Sequence, residues 1–177
     1  MTDIESTLSG RVEELRRVFD QSFAEPIRAV TRQTIDFISI RFTGDAHAIR
    51  MDEIAGLFAD VRITPCPGPI AELRGLAGFR GALTPVYDLA ALLGYPPSSA
   101  RWIVLAKGRT LALAFDEFDD HFRIEPSALA TRESSSASRY VREIAQQAGQ
   151  AWPVIDIPSV VAAIKTRAAA ATSHKEH

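Results

Sequence analysis

Between Ile4 and Phe23 the apolar residues Ile4, Leu8, Val12, Leu15, Phe19 and Phe23 recur at steps of three or four. That step predicts a helix with all six on one stripe, while Glu13, Glu14, Arg16, Arg17 and Asp20 fall mostly elsewhere. Pro26 stops it near Glu25. The stripe needs an apolar surface, either on the chain's own domain or on a partner helix. Past Ala29 the period drops to two: Phe37, Ser39 and Arg41 alternate with Ile38, Ile40 and Phe42, and Thr43-Gly44-Asp45 supplies a turn. Further short apolar runs follow at Ala48–Ile54, Ala82–Tyr87, Trp102–Ala106, Leu111–Phe115, Tyr140–Ala145 and Ala151–Ile155. Glycine, proline or serine separates most of them, which is the punctuation of a small β-barrel or sandwich. The chain reads as mainly β with a helix at each end.

The pattern repeats. Gly44-x-x-x-Ala48-Ile49-x-Met51-Asp52-Glu53-Ile54 returns 64 residues later as Gly108-x-x-x-Ala112-Leu113-x-Phe115-Asp116-Glu117-Phe118. Pro85-Val86-Tyr87-Asp88-Leu89-x-x-Leu92-Leu93 returns 68 residues later as Pro153-Val154-Ile155-Asp156-Ile157-x-x-Val160-Val161. The offset of 68 also pairs Arg74 with Arg142, Ala77 with Ala145 and Gly81 with Gly149. Two similar barrels built by duplication are implied. Each half, roughly 65 residues, is marginal alone, so the two are expected to share an interface and unfold together. Asp88 and Asp156 each leave a strand and are placed to cap a following helix, which Gly94 and Pro96 end in the first half. The predicted segments are 1–30, a helix and linker; 31–168, the duplicated domain with repeats at 31–98 and 99–168; and 169–177, a frayed tail.

Composition narrows the function. The chain has 177 residues, 46% of them apolar, and a formal charge of −2. The apolar share supports a core, and the charge gives no basic field for a nucleic-acid backbone. Cys66, the only cysteine, stands in Pro65-Cys66-Pro67-Gly68-Pro69 without a nearby base, so disulfide, cysteine-zinc and nucleophile roles are not expected. Asp3 and Glu5 replace the cationic start of a secretory signal, and no apolar run is long enough to span a bilayer. A cytoplasmic chain without membrane insertion is expected.

Catalytic and metal patterns are not found. His47 and His121 have no second ligand at helical spacing, and His174 and His177 sit in the tail. The acidic group Asp116, Glu117, Asp119 and Asp120 lacks the alternating ligands of a calcium loop and reads as a solvated turn. Gly75, Gly78 and Gly81 recur every third residue without the Lys or Ser/Thr of a phosphate cradle, which suits backbone conformation better than phosphate. Neither a cofactor nor an enzymatic activity is expected.

Duplication also separates frame from contact. Positions that both halves share are explained by the barrel; a charge in only one half is not. Arg80 is matched by Ala148, and Gly75 by Glu143. Arg80, between Gly78 and Gly81, is either a recognition residue, its guanidinium fork suited to carboxylates, or one arm of a salt bridge that holds its loop.

The stretch Leu73-Arg74-Gly75-Leu76-Ala77-Gly78-Phe79-Arg80-Gly81-Ala82-Leu83-Thr84-Pro85-Val86-Tyr87-Asp88-Leu89 resembles the hallmark of CheW-like chemotaxis coupling proteins. Arg62 to Gly68 resembles the loop ahead of it, and Leu111–Phe118 a later strand; the likeness covers roughly residues 35 to 165. It implies two intertwined five-stranded SH3-like β-barrels. It also implies a non-catalytic adaptor that bridges chemoreceptor cytoplasmic tips and a chemotaxis histidine kinase, with Gly75, Arg80 and Gly81 on the receptor side. The alternative is a divergent scaffold that binds a single partner in another motility or regulatory pathway. Gly56 stands where the family often has an acidic residue, Ala112 where it has glycine, and the N-terminal helix is longer than in minimal members.

Overall fold

Strict alternation along two central strands decides the architecture. In β6 (Trp102–Ala106), Ile103 and Leu105 enter one apolar cluster while Val104 and Ala106 enter another. In β7 (Ala112–Phe115), Ala112 and Ala114 join the first, Leu113 and Phe115 the second. Successive strand residues point to opposite faces, so both faces of this sheet are buried. The computed structural model describes residues 33–131 and 139–173. The stripe at residues 3–24 and the chain from His174 onward lie outside them.

Nine further strands complete two sheets: β1 (Ile35–Phe42), β2 (Asp45–Arg50), β3 (Ile54–Ala59), β4 (Leu73–Phe79), β5 (Ala82–Asp88), β8 (Glu117–Ile124), β9 (Leu129–Thr131), β10 (Val141–Gln147) and β11 (Gln150–Ile155). One sheet runs β8-β1-β2-β11-β10-β9 and the other β3-β6-β7-β5-β4. Each sheet draws on both halves of the chain. β3, from the first half, pairs with β6 of the second, and β8, from the second, pairs with β1 of the first. This exchange is the intertwining, and the domains are a pair of SH3-like β domains. The duplication holds residue by residue. Val86 pairs in parallel with Ala112, as Val154 does with Ala48. The sheets have six and five strands because β9 pairs over three residues, whereas the first half has a single bridge, Thr64 to Leu76. Among the described residues no ladder joins β8 to β9 or β3 to β4, so the sheets stay open in their hydrogen bonding.

Three cores result. Phe37, Phe122, Trp152 and Val154 fill one β domain; Phe79, Val86, Ile103 and Leu105 fill the other. Between them lie Ile38, Ile40, Phe42, Ile49, Tyr87, Leu113, Phe115 and Ile155, from both sheets. The shared core is the interface that the small size of each half demanded. A four-residue helix α1 (Leu89–Leu92) and the C-terminal α2 (Ile157–Ser173) contribute Leu89, Ile157, Val160 and Ile164 to it.

Several local readings change. Ala48–Ile54 is not one strand: β2 ends at Arg50, and a 3-10 turn at Met51–Glu53 redirects the chain into β3. Leu73–Phe79, missing from the apolar runs because glycines interrupt it, is strand β4. The acidic segment is no turn beyond Asp116. Glu117–Ile124 is an edge strand whose outer face is charged, which masks its period because only Phe122 and Ile124 are buried. Residues 169–173, expected to fray, continue α2, since the alanine run through Ala171 favours helix and no glycine or proline interrupts it. No helix among the described residues is long and apolar enough to cross a membrane.

Candidate functional site

The corner after each long hairpin is built twice from the same parts. In the first, Asp88 is almost fully buried, and its carboxylate accepts from Arg74 Nη1 (2.9 Å), Ser98 N (2.9 Å), Ser98 Oγ (3.2 Å) and Ala91 N (3.0 Å). The last of these caps α1. In the second, Asp156 accepts from Arg142, from Ser159 Oγ and, at 3.3 Å, from Ser159 N, which caps α2. A buried carboxylate needs such donors. Both aspartates are therefore consumed by the frame, as their repetition predicted. The hairpins leading to these corners carry the same irregularity: a register shift between Leu73 and Gly75 recurs between Val141 and Glu143.

Gly75 is buried at that shift with φ +143°; a Cβ there would stand 2.1 Å from the carbonyl oxygen of Thr64. Only glycine admits the neighbouring segment this closely. The structure thus places Gly75 beneath the surface. Arg80 and Gly81 are the two central residues of the β4–β5 turn, with φ +49° and +85°. The β10–β11 turn has Ala148 and Gly149 at +50° and +77°. Positive φ at both positions is the hairpin turn whose twist matches the strands. The backbone at Arg80 is thus dictated by the frame, while the side chain is not. Arg80 is exposed and forms no hydrogen bond or ion pair to another described residue. Among the described residues the loop-holding salt bridge is not formed.

The turn also ends a projecting ribbon. β5 meets β7 only from Val86 onward, and the bridge to Thr64 touches β4 only at Leu76. The ribbon therefore extends past its sheet near the turn. It carries an exposed large apolar side chain, Leu83, 77% exposed. The sequence had the signal for it, since its match 68 residues on is Ala151.

Elsewhere the second half breaks symmetry with charge. Glu143, which stands where the first half has Gly75, accepts from Arg50 Nη2 at 2.6 Å. Arg50 also lies over the Phe37 ring at 5.5 Å. Glu53, in the 3-10 turn, reaches across to accept from Ile157 N at 3.0 Å and adds a second cap to α2. Burial first, then the neighbouring Asp156 and Asp52, push its carboxyl up to about 7, against the lowering effects of the Ile157 N–H and of Arg50. Nothing in local sequence could announce this, because the partners are 104 residues apart. At the same end of the sheet, where Phe37 pairs with Arg50, Asp36 accepts from Arg123 (2.5 Å) and His121 (2.8 Å), which hold its carboxyl below the usual range. His47 is buried against Phe42 and Tyr95, and burial lowers its pKa. No group of three or more His, Cys, Asp or Glu that could hold a metal ion occurs among the described residues.

These features are joined by the comparisons with known proteins. Among solved structures, the scaffolding protein TtCheW from Thermoanaerobacter tengcongensis matches with a TM-score of 0.63 at 18% identity, over 70% of this chain and 89% of that one. At that identity the likeness carries the fold. No curated protein matches the sequence. The family model for the CheW-like domain matches residues 36–165, well over half of the chain and the whole stretch from β1 into α2. With the strand exchange and the doubled hairpin corners in place, the chain belongs to the CheW-like domain family.

Proposed function

We propose that this chain is a non-catalytic cytoplasmic adaptor that couples chemoreceptor tips to a histidine kinase in a chemosensory array. The observation that carries the reading is the contrast between the two hairpin turns. Their backbones are the same, yet one presents an arginine without a partner among the described residues and the other an alanine. An exposed guanidinium on a projecting ribbon suits a carboxylate or a carbonyl array on another protein. Arg80 and Gly81 form the receptor-side contact, and Gly75 acts through the placement of β4. The kinase binds on a separate surface, so one molecule holds two partners and raises their effective concentration for each other.

The test is binding of a soluble receptor cytoplasmic fragment and of the kinase regulatory domain to wild type and to Arg80→Ala. Receptor affinity is expected to fall several-fold or more while the melting temperature stays within about 2 °C, because Arg80 is exposed and holds no other described residue. Equal receptor affinity before and after the change removes Arg80 from the site. Recovery of the kinase domain alone, with no receptor binding at all, overturns the coupling role.

A further inference from the structure

The two hairpins agree on one rung and differ on the next. On the face turned away from the β-domain core, β4–β5 pairs Leu76 with Pro85, and β10–β11 pairs Ile144 with Pro153. All four are half-buried. One rung closer to the turn, β4–β5 pairs Gly78 with Leu83, whereas β10–β11 pairs Gln146 with Ala151. The inner rung belongs to the frame. The outer one does not, since the same backbone is built with Gln and Ala in its place.

What the outer rung presents is specific. Leu83 is 77% exposed, and the residue directly across from it has no side chain. A Cβ added at Gly78 would meet nothing within 4 Å. Directly opposed side chains normally cover each other on a sheet face, so the glycine leaves one flank of the leucine bare and opens a notch beside it. Arg80 stands at the turn two residues beyond Gly78, and no acidic residue lies between Ala77 and Thr84. A lone exposed leucine needs no explanation. A leucine, a notch and an arginine unpaired among the described residues, all three missing from the duplicate hairpin, do.

We infer that Leu83 is the apolar anchor of the receptor-side surface, seating a side chain of the partner in the notch over Gly78 while Arg80 meets a carboxylate beside it. The partner surface is an apolar patch flanked by an acidic residue, on a chain lying across the ribbon face. Strand addition at the ribbon edge is disfavoured. Beside the turn, past the pairing of β10 with β9 and the Thr64 bridge to β4, both hairpin edges are uncovered, so what sets the first hairpin apart at this rung is the side chains of the face. A central apolar residue with a charge at its rim is also how binding energy is usually distributed at an interface.

This inference rests on the receptor-side reading of the same turn, and the experiment separates the two. Wild type, Arg80→Ala, Leu83→Ala and the double change Gly78→Gln with Leu83→Ala are titrated with a soluble chemoreceptor cytoplasmic fragment and, separately, with the kinase regulatory domain. The double change copies the rung of β10–β11, so the chain already shows that this backbone accepts it. Leu83→Ala is expected to weaken the receptor fragment roughly tenfold, with the double change at least as severe and kinase binding unchanged within about twofold. If Arg80→Ala weakens the receptor fragment but both leucine variants bind it like wild type, the anchor is wrong and the coupling role survives. If wild type binds no receptor fragment, the coupling role and the anchor fall together. If the leucine variants lose the kinase domain instead, the partner assigned to this ribbon is wrong.

Discussion

The duplicated corner sets up a comparison inside one molecule: Arg74→Ala against Arg142→Ala. Each removes the guanidinium from a buried aspartate at the same place in the repeat. The surroundings differ in a way that fixes the order. Arg74 is 31% exposed and Asp88 2%, whereas Arg142 is 64% exposed and Asp156 6%. Removing one partner of a fully buried pair costs about 3–5 kcal/mol, and an exposed pair contributes about 0–1 kcal/mol. Arg74 is partly exposed, and Asp88 keeps three other donors, so the upper figure must be cut. Against that, Arg74 Nη1 also donates to the Ser98 carbonyl at 2.8 Å and ties down the segment after α1. About 2 kcal/mol is expected for Arg74→Ala and about 0.5–1 kcal/mol for Arg142→Ala. Urea unfolding at neutral pH reads both. Each variant should unfold in one transition with an unchanged m-value, because the shared core couples the two β domains. An Arg142→Ala cost equal to or above that of Arg74→Ala would refute the burial argument, and two separate transitions would refute the coupling.

Two further changes test the frame. For Glu53→Gln the sign is set by the raised carboxyl: the folded chain holds this proton up to about 7 against an ordinary 4.5, so ionising Glu53 costs stability that is lost as pH rises through that window. Discounted for its partial exposure, the effect is on the order of 1–2 kcal/mol. Unfolding at pH 5 and pH 8 should show Glu53→Gln gaining on wild type at the higher pH, and parallel stabilities would dismiss the shift. Gly75→Ala should lose about 3 kcal/mol or more, since its Cβ strikes Thr64 in a backbone conformation that alanine avoids, whereas Gly78→Ala should stay within about 0.5 kcal/mol. Thermal melts showing the two glycines equally tolerant would contradict the close approach at Gly75.

What was legible in the sequence, and what was not, follows one physical divide. The repeat spacing announced the helix caps at Asp88 and Asp156, the parity of the two turns and the matched Arg74 and Arg142, whose pairing with those aspartates the structure adds. Arg74 and Asp88 are 14 residues apart, as are Arg142 and Asp156. The strand exchange was legible only through family resemblance, since pairing of β3 with β6 and of β8 with β1 leaves no local mark. The charged edge strand β8 was misread for the opposite reason: its local pattern is polar, and only contact with β1 makes it a strand. Arg41, for example, binds Asp119 at 2.6 Å across that pair, at the residue where the register slips. The same divide bears on function. Whatever both halves share is held in place by folding, so selection for binding can act freely only where they differ. The frame's own demands at the β4–β5 turn end with the backbone; a positive φ at position 80 is already satisfied by an alanine at 148. Among the described residues the fold makes no demand on the arginine at that position or on the exposed leucine three residues on, and that is where the proposed contact is placed.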